Sequence, residues 1–135
     1  VLETSAALRR ALRRQEHPDT PTLEAASRAL ARPRGELGEG IAAGDWLVEH
    51  QDRVRAAWTD GMDALARLWH AARAPARAVE SWQTLLAREP LRESAHRELM
   101  RTWAELGEPA RALGHYEGLV TLLARELGAT PARET

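Results

Sequence analysis

Apolar residues recur every three or four positions along most of this chain, which is the spacing of one buried helical face. Residues 4–16 carry Ala7, Leu8, Ala11 and Leu12 in that pattern, with Thr4 or Ser5 as the expected N-cap. His17-Pro18-Asp19 closes the segment. Thr20 and Pro21 open the next one, because proline fits a first helical turn, where its missing N–H costs nothing. Leu23, Ala26 and Leu30 give this second helix its apolar face. The pattern then breaks: residues 32–45 hold Gly35, Gly38, Gly40 and Gly44 and read as a loop with a short turn near Ile41. Asp45 is expected to cap a long helix from Trp46 to Arg73, with Asp60-Gly61 as the point of a kink or split.

Three more helices are predicted. Residues 75–88 begin at Pro75 and stop before Pro90; residues 91–106 stop at Gly107; residues 109–127 begin at Pro109 and stop at Gly128. Glycine is the natural residue for a left-handed helix end. Residues 129–135 are expected to be extended, with Leu127 and Pro131 tying this tail to the last helix pair as a cap. Deleting residues 128–135 is then expected to lower the melting temperature.

The chain also matches itself at an offset of 34 residues. Leu65, Arg67 and Trp69 recur as Leu99, Arg101 and Trp103. Pro75-Ala76-Arg77-Ala78 recurs as Pro109-Ala110-Arg111-Ala112, and Leu85 as Leu119. Val79/Leu113, Trp82/Tyr116 and Leu86/Val120 are conservative pairs. Thirty-four residues is about the length of a tetratricopeptide (TPR) unit, a helical hairpin that buries its apolar face only by stacking on neighbours. Leu65, Ala66 and Trp69 fill the first-helix places of that pattern, Ala78 and Trp82 its A-x3-aromatic, and Pro90 its closing proline. Leu99, Trp103, Ala112, Tyr116 and Leu119 are the second copy. Met62 and His96 stand where the first Trp belongs, Met100 replaces a small residue, and Ala124 replaces the second closing proline. The expected fold is all-α: a right-handed TPR-like array of antiparallel hairpins with six to seven helices. One domain spans 1–135, with a degenerate helical pair at 1–33, a loop at 34–45, two repeats at 46–127 and the tail at 128–135.

Composition narrows the chemistry. The 135 residues include no Cys, which excludes disulfides, thiolate metal sites and cysteine nucleophiles. Every one of the 19 basic residues is Arg, and the net charge of -1 lacks the footprint of a stand-alone DNA binder. No apolar run is long enough to span a membrane, and no signal peptide is visible. His17, His50, His70, His96 and His115 are scattered without metal-ligand spacing and read as surface or packing residues. No nucleophile, base and orienting group assemble, so no enzyme and no cofactor are expected. The sharpest charge feature is Arg9, Arg10, Arg13 and Arg14, on one broad helical face; it is either a solvated arginine face or a surface for phosphates or an acidic partner. Gly114 and Gly118, one turn apart, either admit a close helix approach or mark the inner surface of the array.

The stretch 88–135 resembles the end of the bacterial transcriptional activator domain, the TPR-like domain of SARP-type activators. The marks are Pro90, Leu91, Arg92, Glu93, His96, Leu99, Met100, Gly107, Ala112, Leu113 and Tyr116. Glu126-Leu127-Gly128, Pro131 and Glu134-Thr135 at the end are the most specific. Arg34-Gly35-Glu36-Leu37, Asp45-Trp46 and Arg53 resemble that family's loop-to-helix entry. The resemblance implies a cytoplasmic, non-enzymatic regulatory domain that usually follows a winged helix-turn-helix. Val1 in place of Met fits a segment of a longer chain. The implied partners are a second copy, RNA polymerase or other domains of the regulator, with no sequence-specific DNA binding by this chain. The expected partner surface is the four-arginine cluster and the concave face of the last hairpins, Gly114 and Gly118 included. The alternative is a general TPR adaptor for a peptide or protein unrelated to transcription.

Overall fold

The structure, a computed structural model, describes residues 1–31 and 45–135. Six helices lie among them: α1 (Leu2–Arg13), α2 (Thr20–Ala31), α3 (Asp45–Ala71), α4 (Pro75–Arg88), α5 (Glu93–Glu105) and α6 (Pro109–Leu127). No strand is present among the described residues, and the fold is an all-α, TPR-like array. The expected loop at 34–45 lies outside the described residues except for Asp45, the first residue of α3. Helices α1, α2 and α4 pack on α3, then α5 on α4, and α6 on α5.

The long helix α3 is unbroken through Asp60-Gly61, where the sequence suggested a kink or split. Packing explains the difference. A Cβ placed on Gly61 would collide with Ser5 Oγ of α1 and lie 2.9 Å from Ser5 Cβ and 3.1 Å from Ser5 Cα. The glycine is a helical residue that lets α1 come close. Helix α1 begins at Leu2, so neither Thr4 nor Ser5 is its cap; Ser5 is buried against α3 instead. Asp19 belongs to the start of α2, where its Oδ1 accepts the Thr22 N–H at 2.9 Å. The Thr22 hydroxyl first, and this N–H second, hold the Asp19 carboxyl below its usual range. Trp58 of α3 donates its Nε1–H to the Leu30 carbonyl of α2 at 2.8 Å, so α2 is fixed by a buried hydrogen bond as well as by Leu23 and Leu30.

The 34-residue repeat is a repeat of contacts. Leu65, Trp69, Ala78, Trp82, Leu85, Leu99 and Trp103 share one buried core. Arg77 lies 4.6 Å over the Trp69 ring, and its counterpart Arg111 lies 5.4 Å over Trp103. Each buried indole Nε1 in this pair lacks an acceptor, so both repeats carry the same unmet donor beneath an arginine. Deleting a buried Trp ring costs about 3–5 kcal/mol, which makes these residues the structural centre of each hairpin. The repeats differ at their ends. Helix α4 stops at Arg88, short of Pro90, whereas α6 has Ala124 in the matching place and runs on to Leu127, making it 19 residues long against 14. Gly128 then ends α6 in the left-handed region, at φ 59°.

The contact at Gly61 gives a direct test. Gly61→Ala should destabilise the fold by about 1–3 kcal/mol, the usual cost of overpacking, as read from urea denaturation. Ser5→Gly in the same chain should restore most of the loss, because it vacates the space the new methyl needs. An unchanged denaturation midpoint in Gly61→Ala would refute the close approach.

Candidate interaction surfaces

Helix α1 splits its arginine cluster. Arg9 and Arg13 line a small cleft of about 230 Å³ together with Asp60, Asp63 and Arg92. Arg9 pairs there with Asp60 at 3.8 Å, and Arg92 with Asp63 at 3.7 Å. Arg10 instead lines an open trough of about 670 Å³ between α1 and α2, floored by Leu8, Ala11 and Ala26. Arg14 reaches Glu16 at 3.9 Å. All four arginines are exposed, and their neighbours differ from one to the next. Exposed pairs of this kind add only about 0–1 kcal/mol each to stability, so nothing in the fold depends on them.

Helix α6 carries the other surface. Gly114 and Gly118 are exposed, and a Cβ on either would meet nothing within 4 Å, so no neighbour among the described residues uses their smallness. Leu119 is buried as a core residue, Ala112 is half-buried, and Tyr116, expected in the core, is exposed. The reason is position: among the described residues no further hairpin packs on the outer side of α6. Leu113, Tyr116, Val120 and Leu127 stand on that side. A trough of about 420 Å³ runs between α5 and α6, lined by Met100, Arg101, Leu113, Tyr116, Glu134 and Thr135 among others.

The tail is held down by polar groups. Of the two residues expected to tie it, Leu127 is exposed and Pro131 is half-buried. Glu93, in the first turn of α5, accepts the Ala132 N–H at 2.6 Å and the Thr135 hydroxyl at 2.5 Å. Arg97 donates to Thr135 Oγ1 at 3.4 Å. The Thr135 bond above all, with the Ala132 N–H and the Arg97 charge, holds the Glu93 carboxyl below its usual range against the opposing effect of burial.

Two of the scattered histidines meet. His96 Nδ1 of α5 lies 2.7 Å from His115 Nε2 of α6. His96 Nε2 lies 2.6 Å from the Pro90 carbonyl, which can only accept, so this nitrogen carries the hydrogen. In the neutral pair, His115 then donates to His96. The edge of Trp103 closes the pocket, 5.3 Å from the His115 ring. Burial first, and the His96 charge second, push the His115 pKa below 6.5. The sequence gives no motif for this pair, 19 residues apart. Its one signal is spacing, since His96 leads Leu99 and Trp103, and His115 precedes Leu119, on the apolar stripes.

Among the described residues, no group of three or more His, Asp or Glu could hold a metal, and no helix is long and apolar enough to cross a membrane. A TPR-like array whose outward features are arginines, an apolar end and a latched tail defines a helical-repeat domain. The family model for the bacterial transcriptional activator domain matches residues 1–135, the whole chain. The chain belongs to that family and is a regulatory domain of the transcriptional-activator type. Searches of curated proteins and of solved structures found no match.

His115 and Glu93 both make acid destabilising. Between its lowered folded pKa and 6.5, His115 binds fewer protons folded than unfolded, so stability is complete above 6.5 and falls as the pH drops through the folded value. Glu93 adds a second loss below 4.5, as the pH falls through its own lowered value. Urea midpoints measured from about pH 8 to about pH 3 should show both steps. His115→Gln should remove the upper step. Truncation after Gly128 should remove the lower one and also reduce the midpoint at neutral pH. A truncated chain with the full chain's profile would show that the tail latch contributes nothing.

Proposed function

We propose that this domain regulates transcription through protein contacts, in the cytoplasm, as part of an activator that reads DNA with another module. Self-association, RNA polymerase and other domains of the regulator are the contacts the family implies. The observation that carries the reading is the open end of the array, where Leu113, Tyr116, Val120 and Leu127 remain in solvent on one side of α6. Apolar side chains clustered in this way mark contact sites in soluble proteins. The exposed arginines of α1 supply a second, electrostatic surface, suited to steering an acidic partner rather than to anchoring it.

The role of the domain in protein contact supports a non-enzymatic reading, and its dispersed arginines support one without base recognition. Sequence-specific DNA binding needs a helix or strand presenting several donors to one groove. Here Arg9 and Arg14 face carboxylates of the chain itself.

In an intact regulator carrying this domain, Leu113→Glu should abolish or strongly reduce activation of a reporter while leaving promoter binding unchanged. Reversing Arg9, Arg10, Arg13 and Arg14 to Glu should lower activation with helicity intact. Full activation by the Leu113 variant would remove the open end from the mechanism, and full activation by the arginine variant would return α1 to an ordinary solvated face.

A further inference from the structure

The exposed end of the array has a buried twin in the same molecule. Under the 34-residue offset, Val79, Trp82 and Leu86 of α4 correspond to Leu113, Tyr116 and Val120 of α6. The first three are 9%, 2% and 9% exposed; their counterparts are 65%, 36% and 36% exposed. The difference lies in what covers them. Helix α5 packs on α4, and its Ala95, Leu99 and Trp103 share the core with Trp82 and Leu86. No described helix follows α6. The same kind of apolar surface is thus filled once and open once.

Helix α5 also shows what polar chemistry the filled seat accepts. Arg67 of α3 has a carboxylate from its own helix, Asp63 at 2.6 Å, and lies within electrostatic reach of Glu98 of α5. Arg101 is the repeat counterpart of Arg67. It lines the open trough and has a carboxylate from its own helix, Glu98 at 3.0 Å. A carboxylate brought in by a docking helix would complete the arrangement already built around Arg67. The latched tail, with Glu134 and Thr135 in the trough wall, bounds the seat on one side.

We propose that the α5–α6 end is a seat for one amphipathic helix of a partner protein, built on the chemistry of α5. Such a helix has apolar residues at i, i+4 and i+8, as Ala95, Leu99 and Trp103 are spaced, and a carboxylate at i+3, as Glu98 is. The proposal names the partner chemistry of the open end and rests on the reading of this chain as a protein-contact domain. The seat continues an interface that the fold already makes, and helix-in-groove recognition uses this anchor spacing.

The probe is a labelled peptide of residues 90–108, which is α5 itself, titrated into the full 135-residue chain and followed by fluorescence anisotropy. Saturable binding is expected. Leu113→Glu in the chain should weaken it by roughly tenfold or more, as for a central apolar contact. Leu113 is already exposed, so this variant keeps the fold, with circular dichroism as the control. A peptide carrying Glu98→Arg should bind the wild-type chain poorly and bind better to the Arg101→Glu chain. No saturation up to about 1 mM peptide, an affinity weaker than any specific helix contact, would overturn the proposal. So would binding that Leu113→Glu leaves unchanged, since that peptide would be entering elsewhere, for instance in place of the native α5. Sedimentation supplies the other arm: a dimer of the chain that Leu113→Glu dissociates, with no peptide uptake, would assign the seat to a second copy and overturn the partner assignment. Peptide binding in a regulator whose activation ignores Leu113→Glu supports the seat and counts against the transcriptional reading. Lost activation without peptide binding does the reverse.

Discussion

Burial of the middle of α3 on several sides is the constraint on which the rest of the structure depends. Trp58, Gly61, Met62, Ala64, Leu65, Ala66, Leu68 and Trp69 are all buried, too many for one apolar stripe on a helix with an ordinary solvent face. Such a helix is stable only if neighbours arrive from different directions. The pair α1–α2 comes from one side, with Gly61 admitting Ser5 and Trp58 bonding to Leu30. Helix α4 comes from another, with Ala78 permitting the approach and Trp82 filling the space around it. Both ends of the array therefore depend on a continuous α3, and this explains why the helix runs unbroken through a glycine that on propensity alone would weaken it.

From α4 onward the logic is one-dimensional. Each helix buries its face on the one before and exposes a new face to the one after. At the end formed by α5 and α6, the last described helix, two different chemistries meet the faces so exposed. The N-terminal half of α5 receives a polar latch, Glu93 holding Ala132 and Thr135. The outer side of α6 receives nothing, and its apolar residues stay in solvent. A capping segment that only protected apolar surface would cover Leu113 and Leu127, the most exposed of these residues. This tail leaves them uncovered and is fixed beside the trough by hydrogen bonds. The protection is thus selective, which is the arrangement expected where an end face has a use beyond stability.

The helices and the repeat were legible in the sequence because they rest on local, periodic signals. Pro75, Pro109 and Gly128 mark the ends of α4 and α6 at the residues the pattern indicates. The heart of the repeat was legible for the same reason: Leu65/Leu99, Trp69/Trp103 and Leu85/Leu119 recur with a fixed period and are buried in both copies. What was not legible depends on residues far apart. Gly61 reads as a helix breaker until Ser5 is brought against it. His96 and His115 read as separate surface residues until α5 and α6 align them. Glu93 reads as one more first-turn carboxylate until the tail returns to it. Tyr116 was expected in the core because its repeat counterpart Trp82 is there, yet periodicity carries no information about which faces a neighbouring helix covers. The sequence likewise could not show that Arg9 and Arg13 line a cleft with the acids of α3 while Arg10 lines the trough between α1 and α2.

The two proposed contact surfaces are unequal, and magnitudes decide which one would anchor a partner. Charges as exposed as Arg10 and Arg13 act across solvent, where salt screens them beyond roughly 8–10 Å. They can raise the rate of encounter and select the sign of a partner, but they add little to the lifetime of a complex. The α6 face is different in kind. Burying it removes apolar area from water at about 25 cal/mol per Å², and its neighbours Met100 and Arg101 provide a wall and a charge to orient what enters. The same division appears inside the molecule. Arg77 and Arg111 cover the Trp rings and Asp63 gathers Arg67 and Arg92, yet the tryptophans and leucines fill the core. A partner that binds the end of this array would be held by the same forces that hold α5, with the arginines governing which helices are admitted.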